Sequence, residues 1–296
     1  MKKLGRCLTA MVTPFKEDGE VDYEQTRKLA KALLNSGNDG LVLAATTGEA
    51  PTLSWEEEMR IFTEVKSEVG DGPTLIAYTG SNSTKEAVEA TEKAEKIGVD
   101  ACLSVVPYYN KPNQEGIYRH FKAVSECTSL PVIMYNIPGR VVVEMAWDTI
   151  ARLSQFKNIV GVKEASGKMD LVAQTISNSS NEFYVWSGND NDTFAIMALG
   201  GYGVIGVTTH LCGKQYKKMI DLILSDKIQE AAAIHRKLVP LVNAMFSMPS
   251  PGPIKHALNY LGFKVGDPRL PLVPPTEKEA EKIIAELKKH TIDLKA

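Results

Sequence analysis

What this sequence lacks narrows its function first. Its four cysteines, Cys7, Cys102, Cys127 and Cys212, form no CxxC pair, so they are expected to be buried reduced thiols and build neither a disulfide scaffold nor a zinc knuckle. The five histidines, His120, His210, His235, His256 and His290, have no metal-ligand partner at helical spacing. HExxH, the P-loop, GxSxG and GxGxxG are all missing, and no metal site is expected. No apolar run approaches the roughly 18 residues of a membrane span. The start, MKKLGRCLTAMVTPFKEDG, lacks the sustained apolar core of a secretory signal, so a cytoplasmic location is expected. The NST, NSS and NDT triplets at Asn82, Asn178 and Asn191 therefore carry no weight as glycan acceptors. Strong charge of either sign is also missing. The net charge is −2 and the pI about 6.3, which gives no field for nucleic acid or a membrane surface.

What is present is an ordinary globular composition, 44% hydrophobic and 24% charged over 296 residues, ample for a large core. Short β-rich apolar segments recur: LTAMVTPF (8–15), GLVLAATTGE (40–49), TLIAYTG (74–80), ACLSVVPYYN (101–110), PVIMYNIP (131–138), IVGVKEA (159–165), FYVWSGND (183–190) and YGVIGVTT (202–209). Between them VDYEQTRKLAKALLNSG and TKEAVEATEKAEKIG show apolar residues at i, i+3 and i+4 and a closing glycine, the signature of amphipathic helices. EGIYRHFKAVSECT and AWDTIARLSQF fit the same period. Near-continuous Val, Ile, Leu and Ala suit strands covered on both faces, as in parallel sheets. Eight such units, each the length of a strand plus a helix, predict an α/β fold, a (β/α)8 TIM barrel over residues 1–225. A doubly wound sheet is the alternative, but its Gly-rich first turn is missing. After about residue 225 the strand signal stops, and 226–296 reads as a C-terminal helical extension interrupted by the Pro-punctuated GDPRLPLVPP.

A barrel places its chemistry at the carboxyl ends of its strands. Those ends read Thr46–Thr47–Gly48–Glu49, Pro107–Tyr108–Tyr109–Asn110, Tyr135–Asn136 with Pro138 and Arg140, Lys163–Glu164, and Ser187–Gly188–Asn189. Lys163 is the anomaly, because an ammonium is costly to take out of water. A partly desolvated lysine can surrender its proton and attack a carbonyl to form a Schiff base. Equally, the lysine could snorkel to the rim or pair with a carboxylate such as Glu164. The hydroxyl-rich ends of the second, fourth and fifth strands favour imine chemistry, which needs proton donors and acceptors close by. Tyr135 alone reads as core. Arg140 reads as a solvated charge or as a bidentate carboxylate clamp. Thr46–Thr47–Gly48 reads as a helix-capping turn or as an anion cradle. Without metal-ligand spacing, a metal-dependent aldolase finds no support.

TPF (13–15), TTGE (46–49), PYYNKP (107–112), YNIPGR (135–140), GVKEASG (161–167) and SGND (187–190) resemble the dihydrodipicolinate synthases (4-hydroxy-tetrahydrodipicolinate synthases) of the lysine-dependent pyruvate aldolase superfamily. SPGPIKHALNYLG and RLPLVPPTE resemble them too, so the likeness spans essentially the whole chain. It implies that Lys163 forms an imine with pyruvate and that Tyr135, Thr46 and Tyr109 relay protons, with Tyr109 reaching in from a neighbouring subunit. It implies that Thr47 binds the pyruvate carboxylate, that Arg140 holds the carboxylate of L-aspartate 4-semialdehyde, and that Gly188 and the carbonyl of Ile205 line the pocket. No cofactor beyond the covalent imine is implied. The expected assembly is a homotetramer, a dimer of dimers. L-lysine as a feedback inhibitor would sit at Ala50, Pro51, Trp55, Glu58, Asn82, Glu86 and Tyr108, where Glu58 and Glu86 either hold its ammonium groups or are ordinary surface acids.

N-acetylneuraminate lyase and keto-deoxy sugar-acid aldolases of the same superfamily are the alternative. They typically lack the arginine at Arg140, which makes that residue the discriminator. A non-catalytic barrel acting as regulator or scaffold is the alternative of another class. The chain departs from the commonest family pattern at Ala45, where Gly usually stands, at Val141–Val142, in place of Thr-Gly, and at Thr209–His210, in place of Ala-Asn. These departures put loop geometry in question, not the chemistry.

Overall fold

Each of the eight apolar runs carries a strand in the computed structural model, which describes residues 3–295. The strands are β1 (Cys7–Ala10), β2 (Gly40–Leu43), β3 (Thr74–Tyr78), β4 (Ala101–Val105), β5 (Val132–Asn136), β6 (Ile159–Glu164), β7 (Tyr184–Ser187) and β8 (Gly203–Gly206). They close into a barrel in chain order, and β1 pairs with β2, and β3 through β8 with one another in turn, all in parallel. Nearly every strand residue is buried. This is why the runs are continuous and not alternating: a strand with a packed face on either side has no wet face to mark.

The helices are α1 (Tyr23–Asn35), α2 (Trp55–Val69), α3 (Thr84–Ile97), α4 (Gln114–Glu126), α5 (Pro138–Val141), α6 (Trp147–Leu153), α7 (Met169–Asn178), α8 (Thr193–Ala198), α9 (Thr209–Leu224), α10 (Ile228–Met245), α11 (Gly252–Tyr260) and α12 (Glu277–Leu287). Their starts are written in the sequence. Asp22, Ser83 and Asn113 each accept a backbone N–H of the first turn of α1, α3 and α4, and Ser54 forms a reciprocal capping box with Glu57 on α2. Each cap contributes about 1 kcal/mol. The period-3.6 stripe of α1 buries Leu29, Ala30 and Leu33, and truncating such a leucine to alanine costs about 2–5 kcal/mol. From Ile228 onward the regular elements are helices alone, α10 to α12.

The chain divides into two compact units. One joins the segment ending at Arg6 to Leu75–Ile205, and the other joins Cys7–Thr74 to the segment beginning at Gly206. In the first, Trp186 of β7 donates its indole N–H to Gly5, and the Tyr202 hydroxyl donates to Leu4. In the second, the fully buried His210 accepts from the Val12 N–H through Nε2 at 3.1 Å and donates to Val207 through Nδ1 at 2.7 Å. Both ring nitrogens are satisfied, and burial pushes the imidazole down to about 4, so it stays neutral. His210 is thus a structural tie between the segments that follow β1 and β8. No helix among the described residues is long and apolar enough to cross a membrane, and the four cysteines are free, with Cys127 half-buried and the others buried.

Candidate functional site

The site begins with the register of β5 against β6. Tyr135 stands directly opposite Lys163, and Asn136 opposite Glu164. Successive strand residues face opposite ways, so these two pairs lie on opposite faces of the sheet. On one face Lys163 is 4% exposed and Tyr135 3%, and the lysine Nζ sits 4.2 Å from the centre of the tyrosine ring. Among the described residues no carboxylate and no hydrogen bond engages this ammonium. Among the described residues the ring face is its one partner, an interaction of about 2 kcal/mol in a desolvated place.

Glu164, the carboxylate beside Lys163 in sequence, is committed elsewhere. It accepts from Asn136 Nδ2 at 2.9 Å and from the Ser166 N–H at 2.7 Å. Asn136 in turn accepts from the Met145 N–H. Burial holds the Glu164 carboxyl above its usual range, against the pull of these donors. A lysine paired with Glu164 is therefore corrected: the alternation of the strand separates them.

Gly188 follows β7, and its N–H donates to the Glu164 carbonyl at 2.7 Å. A Cβ at Gly188 would stand 3.2 Å from Lys163 Cγ and 2.8 Å from Ala165 Cβ. Glycine here leaves the lysine stem its room. Ile205 is buried within β8. Arg140 lies on the single turn α5 just after β5; it is exposed, and no partner takes its guanidinium among the described residues. Tyr109 follows β4 and is 89% exposed at a φ of +72°, while Tyr108 is 40% exposed. Asn110 next to them donates to the Asn82 carbonyl at 2.9 Å, and Glu86 accepts from the Ser81 hydroxyl at 2.7 Å.

Five of the positive-φ residues other than glycine, Ala44, Glu49, Tyr109, Lys111 and Val142, lie in the loops after β2, β4 and β5. Strained backbone gathers where side chains must be aimed. The departures from the common pattern read clearly in this light. The left-handed residue is Ala44, so Ala45 needs no glycine freedom. Val142, at a φ of +71°, does occupy a conformation that a β-branched residue strongly disfavours.

In the other unit Thr46 is half-buried and Thr47 buried, after β2. Among the described residues neither hydroxyl is engaged. Their loop is closed by the Glu49 N–H donating to Thr46 and by the Ala50 N–H donating to Ala45. Thr13 donates to the Gly48 carbonyl at 2.6 Å. A Cβ at Gly48 would come within 2.9 Å of Ala44 Cα, which explains the glycine. Ala50 and Pro51 open a short 3-10 turn, Ala50–Thr52, and Trp55 and Glu58 follow on α2. Glu58 is no surface acid. It is 3% exposed, its Oε2 is buried without a partner, and burial pushes its carboxyl up to about 9. Glu86 on α3 is the exposed one.

Two further buried charged residues lie in this unit, Glu49 in TTGE and Lys255 in SPGPIKHALNYLG. Glu49 and Lys255 form an ion pair at 2.7 Å with both side chains 1% exposed. Burial pushes the Lys255 ammonium down to about 8, against the opposing pull of Glu49. The one signal in the sequence was the helical period, which puts Lys255 on the same stripe as Leu258.

A buried amine with no counter-ion, held at a barrel strand's end against a phenol ring, suits attack on a carbonyl. Chemistry of this kind belongs to the aldolase-type lyases. The particular family follows from its relatives. The model of the dihydrodipicolinate synthetase family matches residues 3–290, and the chain belongs to that family. It is 59% identical, over 99% of both chains, to a 4-hydroxy-tetrahydrodipicolinate synthase of Dehalococcoides mccartyi. A dihydrodipicolinate synthase structure from Bacillus anthracis superposes with a TM-score of 0.95 at 41% identity, covering 98% of this chain and 99% of that one. The corresponding enzyme of Cyanidioschyzon merolae, solved with lysine bound, gives 0.94 at 42% identity, covering 96% and 97%. The chain is thus a pyruvate-dependent enzyme of diaminopimelate and lysine biosynthesis.

Proposed function

We propose that the chain condenses pyruvate with L-aspartate 4-semialdehyde through an imine on Lys163, with no other cofactor. The Lys163 amine adds to the keto carbon of pyruvate and water leaves. Loss of a methyl proton gives the enamine, whose carbon attacks the aldehyde of the semialdehyde, and the aldehyde oxygen takes a proton to become a hydroxyl. The amine of the adduct then adds to the imine carbon and displaces Lys163 as the ring closes, giving 4-hydroxy-tetrahydrodipicolinate. Tyr135 moves protons beside the lysine, relayed by Thr46 and by Tyr109 of a neighbouring subunit. Thr47 binds the pyruvate carboxylate, Arg140 the semialdehyde carboxylate, and Gly188 and the Ile205 carbonyl line the pocket. The enzyme works in the cytoplasm as a homotetramer, a dimer of dimers. L-lysine inhibits it through Ala50, Pro51, Trp55, Glu58, Asn82, Glu86 and Tyr108.

The observation that carries this reading is the unpaired, buried Lys163 ammonium on the Tyr135 ring. The exposed and unpartnered Arg140 supports the choice of second substrate, since a guanidinium fork matches a carboxylate. Arg140→Ala is expected to raise KM for the semialdehyde about a hundredfold, a loss in keeping with a charge-assisted pair. Adduct formation with pyruvate should be unchanged. Normal kinetics with the semialdehyde in this variant would transfer the reading to a sister aldolase acting on sugar aldehydes.

A further inference from the structure

The loop that carries Thr46 and Thr47 ends in a glutamate held far more firmly than a turn requires. Glu49 sits at a φ of +63° and is buried to 2% exposure. Its Oε1 lies 2.7 Å from Lys255 Nζ, and its Oε2 accepts the Arg269 N–H at 2.8 Å. Lys255 comes from α11, directs a hydrogen bond to the Asp267 carbonyl at 3.1 Å, and stands 4.0 Å over the ring of Phe15. Arg269 lies over the same ring at 4.4 Å. It donates to the carbonyls of Gly19 and Thr52 and forms a two-pronged pair with Glu57 on α2. Phe15 is itself fixed through its N–H to Val265.

Both cations stand over the Phe15 ring, and both join the segment around α11 to Glu49 of the loop after β2. Within the loop, backbone contacts and the Thr13 hydroxyl on the Gly48 carbonyl hold the turn. The Glu49 side chain is what fastens it outward, and it does so with a charge pair taken wholly out of water. Such a pair is weak evidence for stability, because well-packed apolar residues often replace it without loss, whereas removing one partner leaves an uncompensated charge. A fixed direction is what the pair does supply.

We propose that Glu49 and Lys255 are positioning residues: their buried ion pair locks the Thr46–Thr47 loop to α11 and so sets the two hydroxyl groups for pyruvate binding and proton relay. The proposal rests on Lys163 being the pyruvate amine.

Wild type, Glu49→Gln, Lys255→Met and the double variant are compared by thermal unfolding, by borohydride trapping with pyruvate read as intact mass, and by steady-state kinetics at a temperature where each is folded. The single variants are expected to lose several degrees of Tm. The double variant should regain most of that loss, since no buried charge is left unpaired. Its kcat should nonetheless stay about ten- to a hundredfold below wild type, the order expected for misplaced groups, with the Lys163 adduct still trapped. A double variant that recovers turnover together with Tm makes the pair merely structural and overturns the inference alone. A wild-type protein that traps no adduct overturns the Lys163 reading, and this inference with it.

Discussion

Lys163 and Lys255 are a natural experiment within one chain. Both are buried, at 4% and 1% exposure, and both stand about 4 Å over an aromatic ring, 4.2 Å for Tyr135 and 4.0 Å for Phe15. The difference is the counter-ion. Lys255 has Glu49 at 2.7 Å and the Asp267 carbonyl, whereas Lys163 has neither a carboxylate nor a hydrogen bond among the described residues. A paired ammonium holds structure in place. An unpaired one, beside a phenol and with a glycine clearing its stem, is placed to react. On the proposed reading of Lys163, burial alone does not distinguish an anchor from a nucleophile; the partner does.

Removing each lysine is the sharpest way to break this contrast. Lys163→Ala is expected to lower turnover at least a thousandfold, since the proposed covalent route is gone, while Tm falls by no more than about 2–4 °C, because only the Tyr135 ring contact is lost and no ion pair is broken. A large loss of Tm would make Lys163 structural. Lys255→Met should show the opposite order, a stability loss of about 3–5 kcal/mol with a smaller loss of turnover.

Tyr109→Phe tests whether the unpaired amine depends on a loop hydroxyl for its proton traffic. Turnover should fall about ten- to a hundredfold, with the pyruvate adduct still trapped; unchanged turnover would remove Tyr109 from the relay.

Glu58 gives the smallest effect and extends the comparison to an unpaired acid. Burial pushes its carboxyl up to about 9 from an ordinary 4.5. Between those values the folded state keeps a proton that the unfolded chain has lost, so its contribution to stability is present below pH 4.5 and falls as pH rises toward 9. Glu58→Gln should match wild type near pH 4 and gain about 2–4 °C of Tm by pH 8. A gain that does not grow with pH would contradict a buried, protonated Glu58.

The eight strands were legible because continuous Val, Ile, Leu and Ala between amphipathic helices leave few other folds. The strand-end groups were legible because a (β/α)8 order states where every carboxyl end must lie. Pairing was not. Glu164 adjoins Lys163 in sequence, yet pleating sends it to Asn136 and Ser166. Glu49 and Lys255 are far apart in the chain and meet only in the fold. Burial of Glu58 could be read only from the helical period: it stands three, four and seven residues before Ile61, Phe62 and Val65 on the buried stripe of α2, although the adjoining Glu56 and Glu57 suggest an open face. The strain at Val142 could not be read either, because a φ of +71° belongs to the loop and not to the residue.

The central claim is that Lys163 is an unpaired, reactive amine. Borohydride reduction of the native protein with pyruvate, followed by intact mass and peptide mapping, tests it directly. The account predicts one reduced pyruvate adduct, on Lys163 and not on the paired Lys255. A folded protein that gains no adduct, or gains it on another lysine, would contradict it.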